Sequence, residues 1–176
     1  MKTFLSIVYL CLFILPLTTV CGQSSQADLL ADWERAKAFT LEYLEAMPAE
    51  SYDLKPSPEM RSFAQQMLHL TDGNYGFAAA ATGTESPVER GGSEKATDQS
   101  KENVTRLVTE GYDFVIQGLN DMEEEAMTGT VQLFGRFEMS RAMALAKAFE
   151  HQTHHRGQAT VYLRMAGVEP PAEKLF

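Results

Sequence analysis

The chain has 176 residues, of which 44% are apolar and 22% charged, a composition that is typical of one globular domain and argues against disorder. Its 15 basic and 24 acidic side chains give a net charge of −9, and no stretch is rich in lysine or arginine, which argues against a nucleic-acid partner. The two cysteines, Cys11 and Cys21, are too few for a disulfide scaffold or for a zinc site built from cysteine alone.

Residues 1–22 predict an export signal. Lys2 precedes an apolar run of about 14 residues, and small or polar residues follow as far as Gly22. The run is shorter than the roughly 20 apolar residues of a membrane span, so no span is expected. Two processing alternatives stay open: cleavage after Gly22, or cleavage before Cys21 with lipidation of that cysteine. The expected location is periplasmic or secreted, with a lipid anchor under the second alternative.

The remaining chain predicts four amphipathic helices, because apolar side chains recur there at steps of three and four. Ser57, followed by a proline and an acid, is a helix-start pattern for the second helix. Gly167 is placed to cap the C-terminus of the last helix. The expected helices cover residues 26–46, residues 57–81, a stretch from Thr97 or Asp98 to residue 122, and residues 138–166.

The connections between these helices carry breaks in the helical pattern. Residues 82–96 contain three glycines and a proline and predict a mobile linker. Residues 123–136 also break the pattern, and 129–135 is expected to be briefly extended. No strand pattern is long enough for a sheet, and no glycine-rich phosphate loop occurs, which argues against nucleotide-binding folds. The sequence therefore predicts an all-α fold, a four-helix bundle over residues 26–171.

Three of the four histidines lie within five residues of the last predicted helix. His151 and His155 are four residues apart, which puts their Cβ atoms about 6 Å apart on one helix face. Two imidazoles at this spacing can occupy adjacent corners of one metal site, with metal–nitrogen distances near 2.0–2.1 Å. His154 lies about 60° to the other side of that face. The favoured pair is His151 with His155, and His151 with His154 is the second option.

The fourth histidine, His69, lies on the second predicted helix at the border of its apolar face. If this helix neighbours the last one, His69 supplies a third ligand. A three-histidine site keeps coordination positions open for water or substrate, unlike a closed structural site. Asp72, one turn after His69, is the candidate base or the acceptor behind a ligand imidazole, ahead of Glu150 and Gln158.

Each of these histidines also has a simpler interpretation. A single helical histidine at the edge of a core is more often a hydrogen-bonded packing residue than a ligand. The HxxxH spacing arises by chance in some helices. His154 is most simply interpreted as a solvent-exposed residue beside the pair. The metal hypothesis therefore depends on His69, His151 and His155 converging on one point.

The stretch HQTHHRGQATVYLRMAGVEPP, which begins at His151, resembles the C-terminal helix of the DinB family. Members carry HxxxHRGQ, then Tyr-Leu-Arg, then glycine and prolines. Residues 55–69 resemble the family's loop and second helix, which ends in a single ligand histidine. The resemblance covers residues 26–171. It implies a four-helix bundle, often a homodimer, that holds a divalent ion such as Zn or Ni through His69, His151 and His155.

Some relatives of this kind are thiol-dependent S-transferases, which work in the cytoplasm, and others have been suggested to be hydrolases. The expected function is thus a metal-dependent enzyme for a small-molecule substrate. At the three-histidine site it would activate water in a hydrolase, or a thiol cosubstrate in an S-transferase. The alternative is a non-catalytic exported module that binds a metal or a small ligand.

Overall fold

The computed structural model describes residues 25–175 of the protein. In this part of the chain four α-helices and one two-stranded antiparallel sheet form, with two short 3-10 turns at Ala49–Ser51 and Glu124–Thr128. The elements are α1 Gln26–Ala46, α2 Phe63–Thr82, α3 Lys101–Asn120, β1 Thr130–Leu133, β2 Phe137–Ser140 and α4 Arg141–Met165. The predicted four-helix architecture is confirmed, and α1 has the predicted bounds.

All four helices begin at a serine whose side chain accepts the N–H of the third residue after it. The prediction that α2 starts at Ser57 is wrong, because Ser62 is its N-cap. Ser62 and Gln65 cap each other's backbone reciprocally. The N–H of Phe63 donates to the carbonyl of Leu54, which ties the helix start to the preceding loop. The proline-rich stretch around Ser57 is a turn instead.

The starts of α3 and α4 also lie later than predicted. Ser100 caps α3, while Asp98 accepts a hydrogen bond from the Ser100 N–H in the preceding turn. Ser140 caps α4. Residues 138–140, expected to be helical, belong to β2.

The β-hairpin corrects the expectation that no sheet forms. β1 falls inside the stretch expected to be extended, and β2 pairs with it so that Thr130 lies opposite Ser140. The chain reverses at Phe134 and Gly135, whose φ angles of 55° and 67° are both left-handed. The strand register leaves a three-residue connection, 134–136, and left-handed positions in such hairpin turns are usually filled by glycine or asparagine. A hydrophobic pattern alone could not predict this turn, because phenylalanine disfavours it.

Helix packing brings α2 against both α3 and α4, while α1 covers the other side of α3 and α4. Large side chains fill the interior, and those fully buried include Trp33, Phe63, Tyr112 and Tyr162. Gly111 lets α3 approach α2 closely, since a Cβ there would lie 2.7 Å from Thr71 Cγ2. The contact of α2 with α4 is the arrangement that a shared histidine site requires.

The predicted export signal in residues 1–22, and both processing alternatives including lipidation of Cys21, lie outside the described residues. Among the helices that the structure does describe, none combines the length and apolarity needed to cross a bilayer.

Gly167 follows α4 with a left-handed φ of 77°, as its predicted capping position requires.

Candidate metal centre

Three histidines meet where α2 packs on α4. His69 projects from α2, and His151 and His155 project from α4 one turn apart. One ring nitrogen from each lies within 4.8 Å of the other two. The ring centroids are 4.4 Å apart for His151 and His155, and 4.6 Å apart for His69 and His155. The structure thus brings together the three imidazoles that spacing selected.

His154 takes no part in this cluster. Its side chain is exposed, and its Nε2 lies 3.0 Å from the Gln158 amide. The second option, His151 paired with His154, is therefore not the pair that the fold assembles. Glu150, a lesser candidate, forms a salt bridge with Lys147 at the surface.

The two α4 histidines are held in their neutral form. Burial lowers the pKa of His151 to about 4, and the neighbouring His69 adds to this shift. Burial lowers the pKa of His155 to about 3, with His151 as the next contributor. At neutral pH each ring therefore keeps a free lone pair, which is the form that ligates metal ions.

Gly73 makes room for the His151 ring. A Cβ built on Gly73 would lie 2.2 Å from His151 Cε1 and 2.4 Å from its Nδ1, so any other residue would displace the imidazole. The Nδ1 atom is buried and has no hydrogen-bond partner among the described residues. An unpartnered buried nitrogen costs about 1–3 kcal/mol. A neutral nitrogen left unpaired beside two other imidazoles fits a donor set for a metal ion, and nickel and zinc both accept such ligands.

Glu94 is the hydrogen-bond partner of His69. Its Oε2 lies 3.0 Å from His69 Nδ1, and its Oε1 accepts a hydrogen bond of 2.7 Å from Arg61 Nε. Burial acts in the opposite direction, but the hydrogen bonds from Arg61 and His69 lower the pKa of Glu94 overall. An ionised carboxylate on Nδ1 fixes the proton there and leaves the Nε2 lone pair of His69 for a metal.

Asp72, the candidate base or acceptor, hydrogen-bonds the backbone of the loop that follows α2. Its carboxylate accepts the backbone N–H groups of Ser93 at 2.8 Å and Glu94 at 2.9 Å. It therefore fixes the loop that carries Glu94, and both of its oxygens are engaged in that task. Glu94 could not be identified from the sequence, because it lies 25 residues from His69 in a glycine-rich segment. Nothing in its spacing identifies it.

A glutamine supports His155. The Gln66 amide lies 2.8 Å from His155 Nδ1 and also contacts the Gln158 amide. The group that faces His155 is the Gln66 NH₂, which donates to Nδ1 of His155 and to the Gln158 oxygen. Gln66 therefore fixes the orientation of the His155 ring. Gln158, a lesser candidate in the sequence, thus reaches the cluster only through Gln66.

Two cavities open beside the cluster, with volumes of about 480 and 500 Å³. Such volumes are typical of sites for small organic molecules. His69 lines the first cavity, and His151, Phe77 and Phe134 line both. A molecule bound in either cavity therefore lies against the imidazole cluster.

Comparison with known proteins matches residues 22–175 to the DinB family. A relative, the uncharacterized protein YjoA of Bacillus subtilis strain 168, is 27% identical over 129 residues, which are 73% of this chain and 82% of YjoA.

Two crystal structures share the fold. A DinB-like protein from Bacillus cereus ATCC 10987 has a TM-score of 0.75 at 20% identity, covering 87% of this chain and 100% of that one. The DinB-like protein YjoA from Bacillus subtilis has a TM-score of 0.63 at 19% identity, covering 84% and 96%. With a family match that spans the four helices and all three histidines, the chain belongs to the DinB family.

Proposed function

We propose that the protein is a metal-dependent enzyme whose divalent ion, zinc or nickel, is held by His69, His151 and His155. The observation that carries this proposal is the meeting of three imidazole nitrogens within 4.8 Å beside a cavity. The unpartnered Nδ1 of His151 and the carboxylate behind His69 support it.

A divalent ion bound by three histidines keeps open positions and lowers the pKa of a water or thiol there toward neutrality. Three neighbouring residues contact or accommodate the histidines that would bind this ion. Glu94 keeps the proton of His69 on Nδ1, Gly73 leaves space for the His151 ring, and Gln66 contacts His155. The reaction is then hydrolysis of a small molecule by water, or S-transfer from a thiol cosubstrate.

A second candidate function is a non-catalytic module that captures a metal or small ligand. It is favoured by the engagement of two of the carboxylates along the first cavity, those of Asp72 and Glu94. Asp72 accepts two backbone N–H groups, and Glu94 is shared between Arg61 and His69. Neither carboxylate is therefore free to serve as a general base in this arrangement.

Metal analysis followed by activity measurements tests both functions. We expect about one equivalent of zinc or nickel per chain after reconstitution, lost in His151→Ala and in His155→Ala. Turnover is then measured on a panel of esters, amides and thiol substrates, with chelator and with metal restored. An absence of metal at any loading would overturn the proposed site. Metal without chelator-sensitive turnover would favour the binding module.

We also propose that the chain is exported, on the basis of residues 1–22. Mass spectrometry of the mature N-terminus tests this. A start at Gln23 identifies an ordinary signal peptide, and a diacylglyceryl group on Cys21 identifies a lipoprotein. An N-terminus that retains Met1 in the mature protein would contradict export.

A further inference from the structure

Phe134 has an unusual backbone and an unusual position. Its φ of 55° is left-handed, which bulky side chains rarely adopt, and 46% of its surface is exposed. A glycine or asparagine at this turn would remove the strain, and polar residues are the usual choice at an exposed position. A strained, exposed aromatic residue at a turn beside a cavity indicates a role outside folding.

The ring of Phe134 lines both cavities next to His151 and packs edge-on against Phe77 at a centroid distance of 4.9 Å. The ring also lies over Gly76, where a Cβ would be 3.3 Å from Phe134 Cε1. Phe77 and Phe134 thus form an apolar wall that a bound molecule meets on its way to the histidines.

Arg90 adds a positive charge to this wall. Its guanidinium carbon lies 5.8 Å from the centroid of the Phe134 ring, and the residue lines the first cavity. The other cations along the cavities are neutralised, Arg61 by Glu94 and Lys147 by Glu150. Among the described residues, no carboxylate oxygen lies within 4 Å of the Arg90 guanidinium, so this cation is available to an incoming anion, although Glu89 lines the same cavity.

We propose that the site takes an amphiphilic organic anion, with an apolar body on Phe77 and Phe134 and an anionic group on Arg90. This inference rests on the proposed function, since the rest of the molecule would then lie at the histidine cluster. A carboxylate on Arg90 forms a charge-assisted hydrogen bond, and an alkyl or aryl segment fills the apolar wall. The cavity volume of about 480 Å³ suits a molecule of this size.

The test uses three probes that differ in one feature each: 4-phenylbutyrate, its neutral amide 4-phenylbutyramide, and butyrate. Dissociation constants are measured by calorimetry on protein loaded with zinc and on metal-free protein. We expect 4-phenylbutyrate to bind at least about tenfold more tightly than either other probe. Only this probe has both a carboxylate for Arg90 and a phenyl ring for Phe77 and Phe134. Equal affinity for the acid and the amide would overturn the anionic preference.

Variants assign the two contacts. Arg90→Gln should weaken 4-phenylbutyrate about tenfold and leave the amide unchanged, whereas Phe134→Asn should weaken both phenyl probes about tenfold. Arg136→Gln is the matched control, since this arginine stacks on Phe137 and lines neither cavity. An unchanged affinity in Arg90→Gln would mean that the carboxylate binds elsewhere, the metal included, and would overturn the proposal.

Two further measurements distinguish a binding role of Phe134 from a packing role, and the anion site from the metal site. Phe134→Asn should keep or raise the melting temperature, because asparagine suits the turn. A clear fall would make Phe134 a packing residue and would contradict the proposal. Zinc content, measured separately, tests the proposed function. If the chain takes up no zinc but metal-free protein binds 4-phenylbutyrate through Arg90 and Phe134, the metal site fails and the anion site stands.

Discussion

The imidazole of His151 lies where a methyl group on residue 73 would be, so one glycine determines whether this ring can reach its position. Gly73 lies within α2, and because it has no side chain it leaves space for the His151 ring. On the other side of the cluster, Glu94 determines which nitrogen of His69 carries the proton. At the scale of single residues, the site therefore depends on the neighbours of its ligands as much as on the ligands.

Gly73→Ala should weaken zinc binding by about tenfold or more, because the added methyl group overlaps the His151 ring. Alanine also raises helix propensity by about 1 kcal/mol, so the metal-free protein should not lose stability. Affinity is measured by competition with a chromophoric chelator. Gly157→Ala is the matched control, since no atom of residues 25–175 lies within 4 Å of a Cβ there. Equal losses in both variants would contradict this role of Gly73.

Glu94→Gln should weaken zinc binding about 10–100-fold, because an amide holds the Nδ1 proton of His69 less strongly than a carboxylate does. The same competition assay measures the change. Glu89→Gln is the control, since Glu89 lines the same cavity but makes no contact with His69. Unchanged affinity in Glu94→Gln would show that this carboxylate serves only the salt bridge with Arg61.

At the scale of elements, α2 and α4 carry the ligands and the loop between α2 and α3 carries their support. Rigid helices fix His69 against His151 and His155, and Asp72 fastens the loop by two backbone hydrogen bonds. The hairpin adds the wall of the cavities through Phe134. The site thus combines ligands held on two helices with an enclosure built from a loop and a hairpin.

The start of α2 offers a test of its N-cap. Ser62→Ala should lower the free energy of unfolding by about 1 kcal/mol, because the capping box with Gln65 is lost. Urea unfolding measures the change. Ser57→Ala, at the start that the sequence pattern favoured, should have little effect. A larger loss at Ser57 than at Ser62 would contradict the observed cap.

The elements also show what the sequence could predict. Helical periodicity predicted the four helices, and the spacing of His151 and His155 predicted the pair that shares a face. The hairpin was missed because Phe134 stands where a turn residue is expected. Glu94 and Arg90 were missed because loop geometry, which no periodicity encodes, brings them to the cluster.

At the scale of the whole molecule, the buried imidazoles link stability to pH. Unfolded histidines take up protons near pH 6.5, whereas burial lowers the pKa of His151 to about 4 and that of His155 to about 3. Between about pH 4 and pH 6.5, the unfolded metal-free chain therefore binds more protons than the folded one does. The cluster makes stability fall as the pH is lowered from about 6.5 toward 4, and has little effect above about pH 7.

Thermal unfolding of metal-free protein across this pH range measures the effect. His155→Gln removes one of the imidazoles and should flatten the dependence, while His154→Gln, at an exposed position, should leave it nearly unchanged. Identical pH dependence in the wild type and His155→Gln would contradict the burial of a neutral ring at this position.

The most direct test of the metal centre is anomalous X-ray scattering from crystals of zinc-reconstituted protein, recorded on both sides of the zinc absorption edge. We predict one strong anomalous peak per chain, within bonding distance of nitrogens from His69, His151 and His155. A peak elsewhere, or three imidazoles with no peak between them at full zinc loading, would contradict the account.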